Sequence, residues 1–215
     1  MNRSIVWILA AAVLSSTPDA IAAAPTYQQL LASLTAGDTE IDFTALRNAY
    51  VHSATYDPYA LRVQGLVNRM YRADACAKSV RYARRIEARD FLQIDAHLIL
   101  GYCGPVLHID RGRSEYQLAV ARGLFVSIMH SEDGLTPKSA LKVVSTDEET
   151  AVLRLFGDRL IVQALEHRKG HWYDVDTVTS ASDTRKSRIY FNIDTPYQAL
   201  ARQMRGSGAA SGKTR

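Results

Sequence analysis

Strand-like hydrophobic runs begin near residue 130 of this 215-residue chain, and that change restricts the fold more than any other feature. From Asp42 to about residue 129, apolar side chains recur every three or four residues, which is typical of amphipathic helices. Beyond residue 130, runs with a period of two appear between the helical segments, for example RIYFNID at residues 188–194. A series of helices followed by a series of strands indicates an α+β fold.

The helical part divides at turn signals into antiparallel hairpins. Asp74 is placed to cap one helix, and the dipeptide Gly104-Pro105 should end another, because glycine permits a helix cap and proline cannot continue the helix. The hairpins of residues 60–89 and 95–129 look like tetratricopeptide repeats. Two such repeats are too few for a free-standing solenoid, so we expect these helices to pack on the rest of the chain.

The second half predicts a small antiparallel sheet with helices on one face. We expect strands over residues 140–145, 158–167, 171–178 and 188–194, with helices over 146–157 and 195–204 and a polar loop over 179–187. The predicted organisation is a signal peptide (1–22), an N-terminal segment (23–41), a helical hairpin region (42–130), an α+β region (131–205) and a disordered tail (206–215).

The amino terminus has the pattern of a secretory signal. Arg3 precedes an apolar run over residues 5–14, and Ala20-Ile21-Ala22 offers small residues to a signal peptidase. The run is about half of the roughly 20 residues that a membrane helix needs. No cysteine directly follows the apolar run, which argues against a lipid anchor. We therefore predict a periplasmic or secreted protein that does not span a membrane after cleavage.

The chain has two cysteines, Cys76 and Cys103. Export places them in an oxidising compartment, which favours a disulfide that closes a long loop. The alternative is a pair of small buried hydrophobic side chains. Neither cysteine belongs to a Cys-x-x-Cys motif or lies near a histidine cluster, so we predict no metal and no cofactor.

Positive charge is concentrated in one segment. Between Arg62 and Arg89 there are eight basic residues and only two acidic ones, within a chain whose net charge is +4. We take Arg81, Arg84 and Arg85 as the candidate binding residues. Nucleic acid is a poor partner for an exported protein, so an acidic protein or an anionic component of the envelope is the expected partner. The alternative is an ordinary solvated helix face.

A second dense group of polar residues occupies 127–149. The patterns Ser145-x-x-Glu148 and Thr146-x-x-Glu149 each match a capping box, which would explain the acids as helix-initiating residues. The alternative is a metal or acid-base cluster formed if the fold brings together four side chains: His130, Asp133, His171 and Asp174. The sequence contains no Gly-x-Ser-x-Gly, no phosphate-binding loop and no His-Glu-x-x-His.

Several segments together resemble a family of bacterial exported proteins, domain-of-unknown-function family 4919. They are DFTALRNAY, YDPY, IDAHLILGY, SIMHSEDGLTPKSALKVVSTDEE, HWYDV and YFNIDTPY, which span Asp42 to Tyr197. The family loop usually reads Ser-Gly-Asp-Gly, and Glu132 replaces its first glycine here. The resemblance implies the exported compartment and the fold, but no assigned reaction and no catalytic residues.

The leading interpretation is a non-enzymatic binding or scaffold module of the bacterial envelope that uses a basic helical face. The alternative is a periplasmic metal-dependent or acid-base hydrolase with its site around His130 and Asp133.

Overall fold

The computed structural model describes residues 24–59, 61–180 and 183–211, and it confirms the α+β class. The predicted signal peptide lies outside the described residues. The elements are α1 (Tyr27–Thr35), α2 (Phe43–Val51), α3 (Leu61–Tyr71), α4 (Cys76–Glu87), α5 (Ile94–Val106), α6 (Arg111–Met129), β1 (Leu141–Lys142), α7 (Thr146–Phe156), β2 (Asp158–Arg168), β3 (His171–Ser180), β4 (Asp183–Asn192) and α8 (Asp194–Ser211).

The N-cap predicted from the sequence is found at one helix and not at another. The Asp42 carboxylate accepts the Ala45 N–H at 2.9 Å, so it caps α2 as an acidic N-cap should. The prediction that Asp74 caps the next helix is wrong, because Ala75 is the N-cap of α4 and Asp74 pairs with Lys78 at 2.8 Å.

The predicted end of α5 at Gly104-Pro105 is also wrong, since the helix continues to Val106. Pro105 lies in the last turn, so its missing N–H removes a single i→i−4 hydrogen bond, and the helix ends one residue later. Gly104 has a packing role instead of a capping one. A Cβ at this position would collide with the Ser114 hydroxyl on α6, so the glycine allows α5 and α6 to approach closely.

The sheet has the strand order β1-β4-β3-β2. Strands β2, β3 and β4 pair in antiparallel fashion, whereas β1 is parallel to β4, so the sheet is mixed and not wholly antiparallel. The turn between β2 and β3 is the two residues Lys169 and Gly170, with φ of 50° and 86°. Strand β4 begins at Asp183, which places most of the predicted 179–187 loop within the β3–β4 hairpin.

The main hydrophobic core draws on both halves of the chain. Its largest fully buried members come from helices and strands of both halves, for example Leu34, Leu46, Leu124, Val152 and Phe191. A second, smaller core lies among α3, α4 and α5. The expectation that the helices pack on the rest of the chain is therefore confirmed, and helix α8 extends to Ser211, into the segment predicted as a disordered tail.

Candidate functional site

Helix α4 separates a basic face from a buried one. Lys78, Arg81 and Arg85 recur at spacings of three and four residues, which places them in one stripe along the helix, and Arg89 lies in the turn that follows. The opposite side carries the buried residues Ser79, Val80, Ala83 and Ile86. We call the exposed surface formed by Lys78, Arg81, Arg84, Arg85 and Arg89 the basic face.

Most of the charge on the basic face is not paired with an opposite charge among the described residues. Arg81, Arg84 and Arg85 are all exposed, and none of them pairs with a carboxylate in the part of the chain that the structure describes. Lys78 does pair with Asp74, at 2.8 Å. Three guanidinium groups on one helix are therefore free to bind carboxylates or phosphates.

The surroundings of the basic face suit an extended ligand. A groove of about 680 Å³ runs between α3 and α4, and its lining includes Arg69, Arg72, Lys78 and Tyr82. The disulfide between Cys76 and Cys103 is confirmed, with Cα atoms 5.3 Å apart. It joins the start of α4 to α5, so the basic face is held on a covalently braced helix.

The acidic residues at the start of α7 are not capping residues. Ser145 is the N-cap but makes no side-chain cap hydrogen bond, and Asp147, Glu148 and Glu149 are all buried. The capping-box prediction is therefore wrong, although the helix starts where it was expected. No local pattern predicted their burial, because a run of three acids suits an exposed first turn equally well.

Glu148 forms a buried ion pair with Arg47 of α2. Its two carboxylate oxygens accept from Arg47 Nε and Nη2, each at 2.7 Å, and both side chains are 5% exposed. The Val144 N–H also donates to Glu148, and Arg47 donates to the Lys142 carbonyl, each at 2.8 Å. This network joins the first helices to the loop before α7.

Another group ties α3, α5 and α7 together. The Tyr71 hydroxyl donates to Asp95 at 2.7 Å, and Arg154 both pairs with Asp95 and lies over the Tyr71 ring, 4.7 Å from its centroid. Asp95 is thus a buried structural carboxylate with two donors.

Three further carboxyl groups meet between α7 and the sheet: Glu149, Asp174 and Asp176. Gln163 of β2 donates to Glu149 at 3.2 Å. Burial, with repulsion from its neighbours, raises the pKa of Glu149 well above its usual range, and burial followed by the charge of Asp174 raises the pKa of Asp176 to about 6. Among the residues that the structure describes, none donates a hydrogen bond to the buried Glu149 Oε1 or Asp176 Oδ1. We call these three residues the carboxyl cluster, and the raised pKa values of its members favour their protonated forms.

Asp147 is a fourth buried acid with a shifted pKa. Burial, together with the charges of Asp90 and Asp95, raises the pKa of Asp147 to about 7.

Among the residues that the structure describes, no group of three or more His, Cys, Asp or Glu side chains is arranged to hold a metal ion.

The four residues of the alternative site have separate partners. His130 is the exposed C-cap of α6, and Asp133 is an exposed turn residue whose pKa is lowered by a hydrogen bond from Ser139. His171 Nδ1 lies 2.6 Å from Asp194. Asp174 faces Glu149, on the side of β3 opposite to His171, because the two residues are three positions apart on a strand. These contacts do not support a convergent cluster.

His97 has a structural role inside the helical part of the protein. This side chain is fully buried, with Nδ1 2.5 Å from Gln117 Oε1 and Nε2 2.6 Å from the Phe91 carbonyl, so it is a hydrogen-bonded structural histidine.

Comparison with known proteins identifies no relative. No family model matches the chain, and neither a curated protein nor a solved structure matches it. The resemblance to domain-of-unknown-function family 4919 stays a prediction. Within the described residues, no helix combines the length and apolar character needed to cross a membrane.

Proposed function

We propose that this protein is a non-enzymatic, exported binding module that holds an acidic segment of an envelope protein on the basic face of α4. The observation that carries the proposal is the exposure of Arg81, Arg84 and Arg85 without carboxylate partners in the described part of the chain. Unpaired guanidinium groups bind carboxylates with both charge and bidentate geometry.

The groove beside the basic face supports an extended partner. Arg69, Arg72 and Lys78 supply three positive charges to its lining, against the single acid Asp74. An acidic segment that crosses α4 would therefore meet positive charge along its length. We interpret the hairpins built by α3 to α6 as tetratricopeptide-like supports for this surface, braced by the disulfide.

The test is a binding titration with a fluorescent polyglutamate peptide as the probe. Arg81→Glu, Arg84→Glu and Arg85→Glu together should weaken binding by about tenfold or more, since each pair lost is worth up to about 1 kcal/mol at an exposed site. The matched control reverses the same number of exposed charges elsewhere, at Arg122, Lys138 and Lys186. Equal loss in both variants would show only a net-charge effect and would reject the proposed face.

A second measurement identifies the natural partner. The protein, recovered from the envelope fraction and examined by native mass spectrometry, should carry a bound acidic protein that the triple variant loses and the control retains. Retention by all three proteins would place the partner on another surface.

A further inference from the structure

Strand β2 forms one edge of the sheet. It pairs with β3 on one side, and no strand of the described residues pairs with its other side. At 11 residues it is about twice the usual strand length. Its outward-facing backbone N–H and C=O groups therefore form a long template for another strand.

The side chains of β2 are also exposed. Leu160, Ile161, Val162 and Leu165 have 46%, 43%, 54% and 55% of their surface accessible. Edge strands are commonly protected by lysine, proline or a bulge. Strand β2 contains neither lysine nor proline, and its one irregularity is a register shift between Leu160 and Val162.

We propose that β2 pairs in antiparallel fashion with β2 of a second copy of this chain, about a twofold axis at Gln163. The pairing places Asp158 opposite Arg168 at both ends of the interface. Near the axis it places Ile161 opposite Leu165. Two four-stranded sheets then become one continuous sheet.

The charges of β2 favour a second copy over another kind of partner. A twofold interface brings a surface patch against itself, so the patch must complement its own charges. Arg159 and Arg168 balance Asp158 and Glu166, which gives the strand no net charge when its histidine is neutral. Moving the axis to Val162 would place Asp158 against Glu166, so repulsion disfavours that register. This surface is separate from the basic face and does not depend on the proposed function.

A charge-swap experiment tests both the occupant and the register. Wild-type protein should form dimers in sedimentation velocity runs at concentrations up to about 1 mM, a range that detects even weak association. Asp158→Arg places two arginines opposite each other at both ends of the interface, and Arg168→Asp places two aspartates there. Each variant alone should dimerise about tenfold more weakly, because both terminal cross-strand pairs change from attraction to repulsion.

The decisive sample is an equal mixture of the two variants. In the proposed register each mismatched end meets a complementary end, so the mixture should form heterodimers at close to wild-type strength. Val162→Lys should also weaken the dimer, whereas Leu135→Lys, the same change at an exposed site outside β2, should not. Monomeric wild-type protein overturns the proposal, and so does a dimer that Val162→Lys leaves intact or a mixture that fails to associate.

Discussion

Removing one partner of the Arg47–Glu148 ion pair should destabilise the fold far more than removing an exposed charge. Both side chains are 5% exposed, and the pair is joined by two hydrogen bonds of 2.7 Å. Arg47→Met leaves the Glu148 carboxylate buried with only the Val144 N–H as a donor. Loss of one partner from such a pair costs about 3–5 kcal/mol.

Replacing both partners separates the cost of the stranded charge from the value of the pair. The Arg47→Met and Glu148→Met double variant contains no buried charge here, so its main losses are the hydrogen bonds to the Lys142 carbonyl and the Val144 N–H. Each is worth about 1 kcal/mol, and the double variant should lose about 2 kcal/mol. It should therefore be more stable than either single variant.

Urea unfolding followed by circular dichroism measures these free energies. Arg122→Met, a change at an exposed arginine of α6, is the control and should alter the free energy of unfolding by less than about 0.5 kcal/mol. A loss below about 1 kcal/mol for Arg47→Met, or a double variant as unstable as the sum of the singles, would refute this account of the pair.

Three further predictions concern stability. The raised pKa values of Asp147, about 7, and Asp176, about 6, mean that the folded protein binds protons the unfolded chain releases. Their stabilising contribution is complete below the unfolded pKa near 3.8 and is lost as pH rises through 6–7. The free energy of unfolding, measured in urea titrations, should therefore increase from pH 8 to pH 5. Asp176→Asn should make this free energy depend less on pH. Reducing the Cys76–Cys103 bridge should lower the free energy of unfolding by about 3 kcal/mol, which is measured as a fall in Tm. A variant with both cysteines changed to alanine is the control, and the reductant should leave its Tm unchanged. Gly157→Ala should lower the free energy of unfolding by about 1 kcal/mol, because Gly157 ends α7 at a φ of 71°. A Cβ there would meet no neighbouring atom, so the loss would come from the backbone alone. An unchanged Tm would contradict that explanation.

Features that depend on neighbouring residues could be predicted from the sequence. The Asp42 cap and the end of α7 at Gly157 follow from local backbone chemistry. The two strands that flank Lys169-Gly170 follow from alternation and turn composition. The disulfide could be predicted because a chain with two cysteines has a single possible intramolecular pair, and the predicted export favours its oxidation. The basic face could be predicted as well, since basic residues at this density along one segment must leave most of their charge in solvent.

Residues with distant partners could not be predicted in this way. Glu148 looked like a capping residue because its spacing from Ser145 fits that role, but its partner Arg47 is 101 residues away. The parallel pairing of β1 with β4 likewise depends on the path of the chain through α7, β2 and β3, which lie between the two strands in sequence. Hydrophobic period reports which apolar face is buried, and it carries no signal for a buried acid. Local composition therefore decided where helices, turns and exposed charge occur, whereas the tertiary structure decided which acids leave water, because only packing supplies the donors and the low-dielectric surroundings that stabilise or neutralise them.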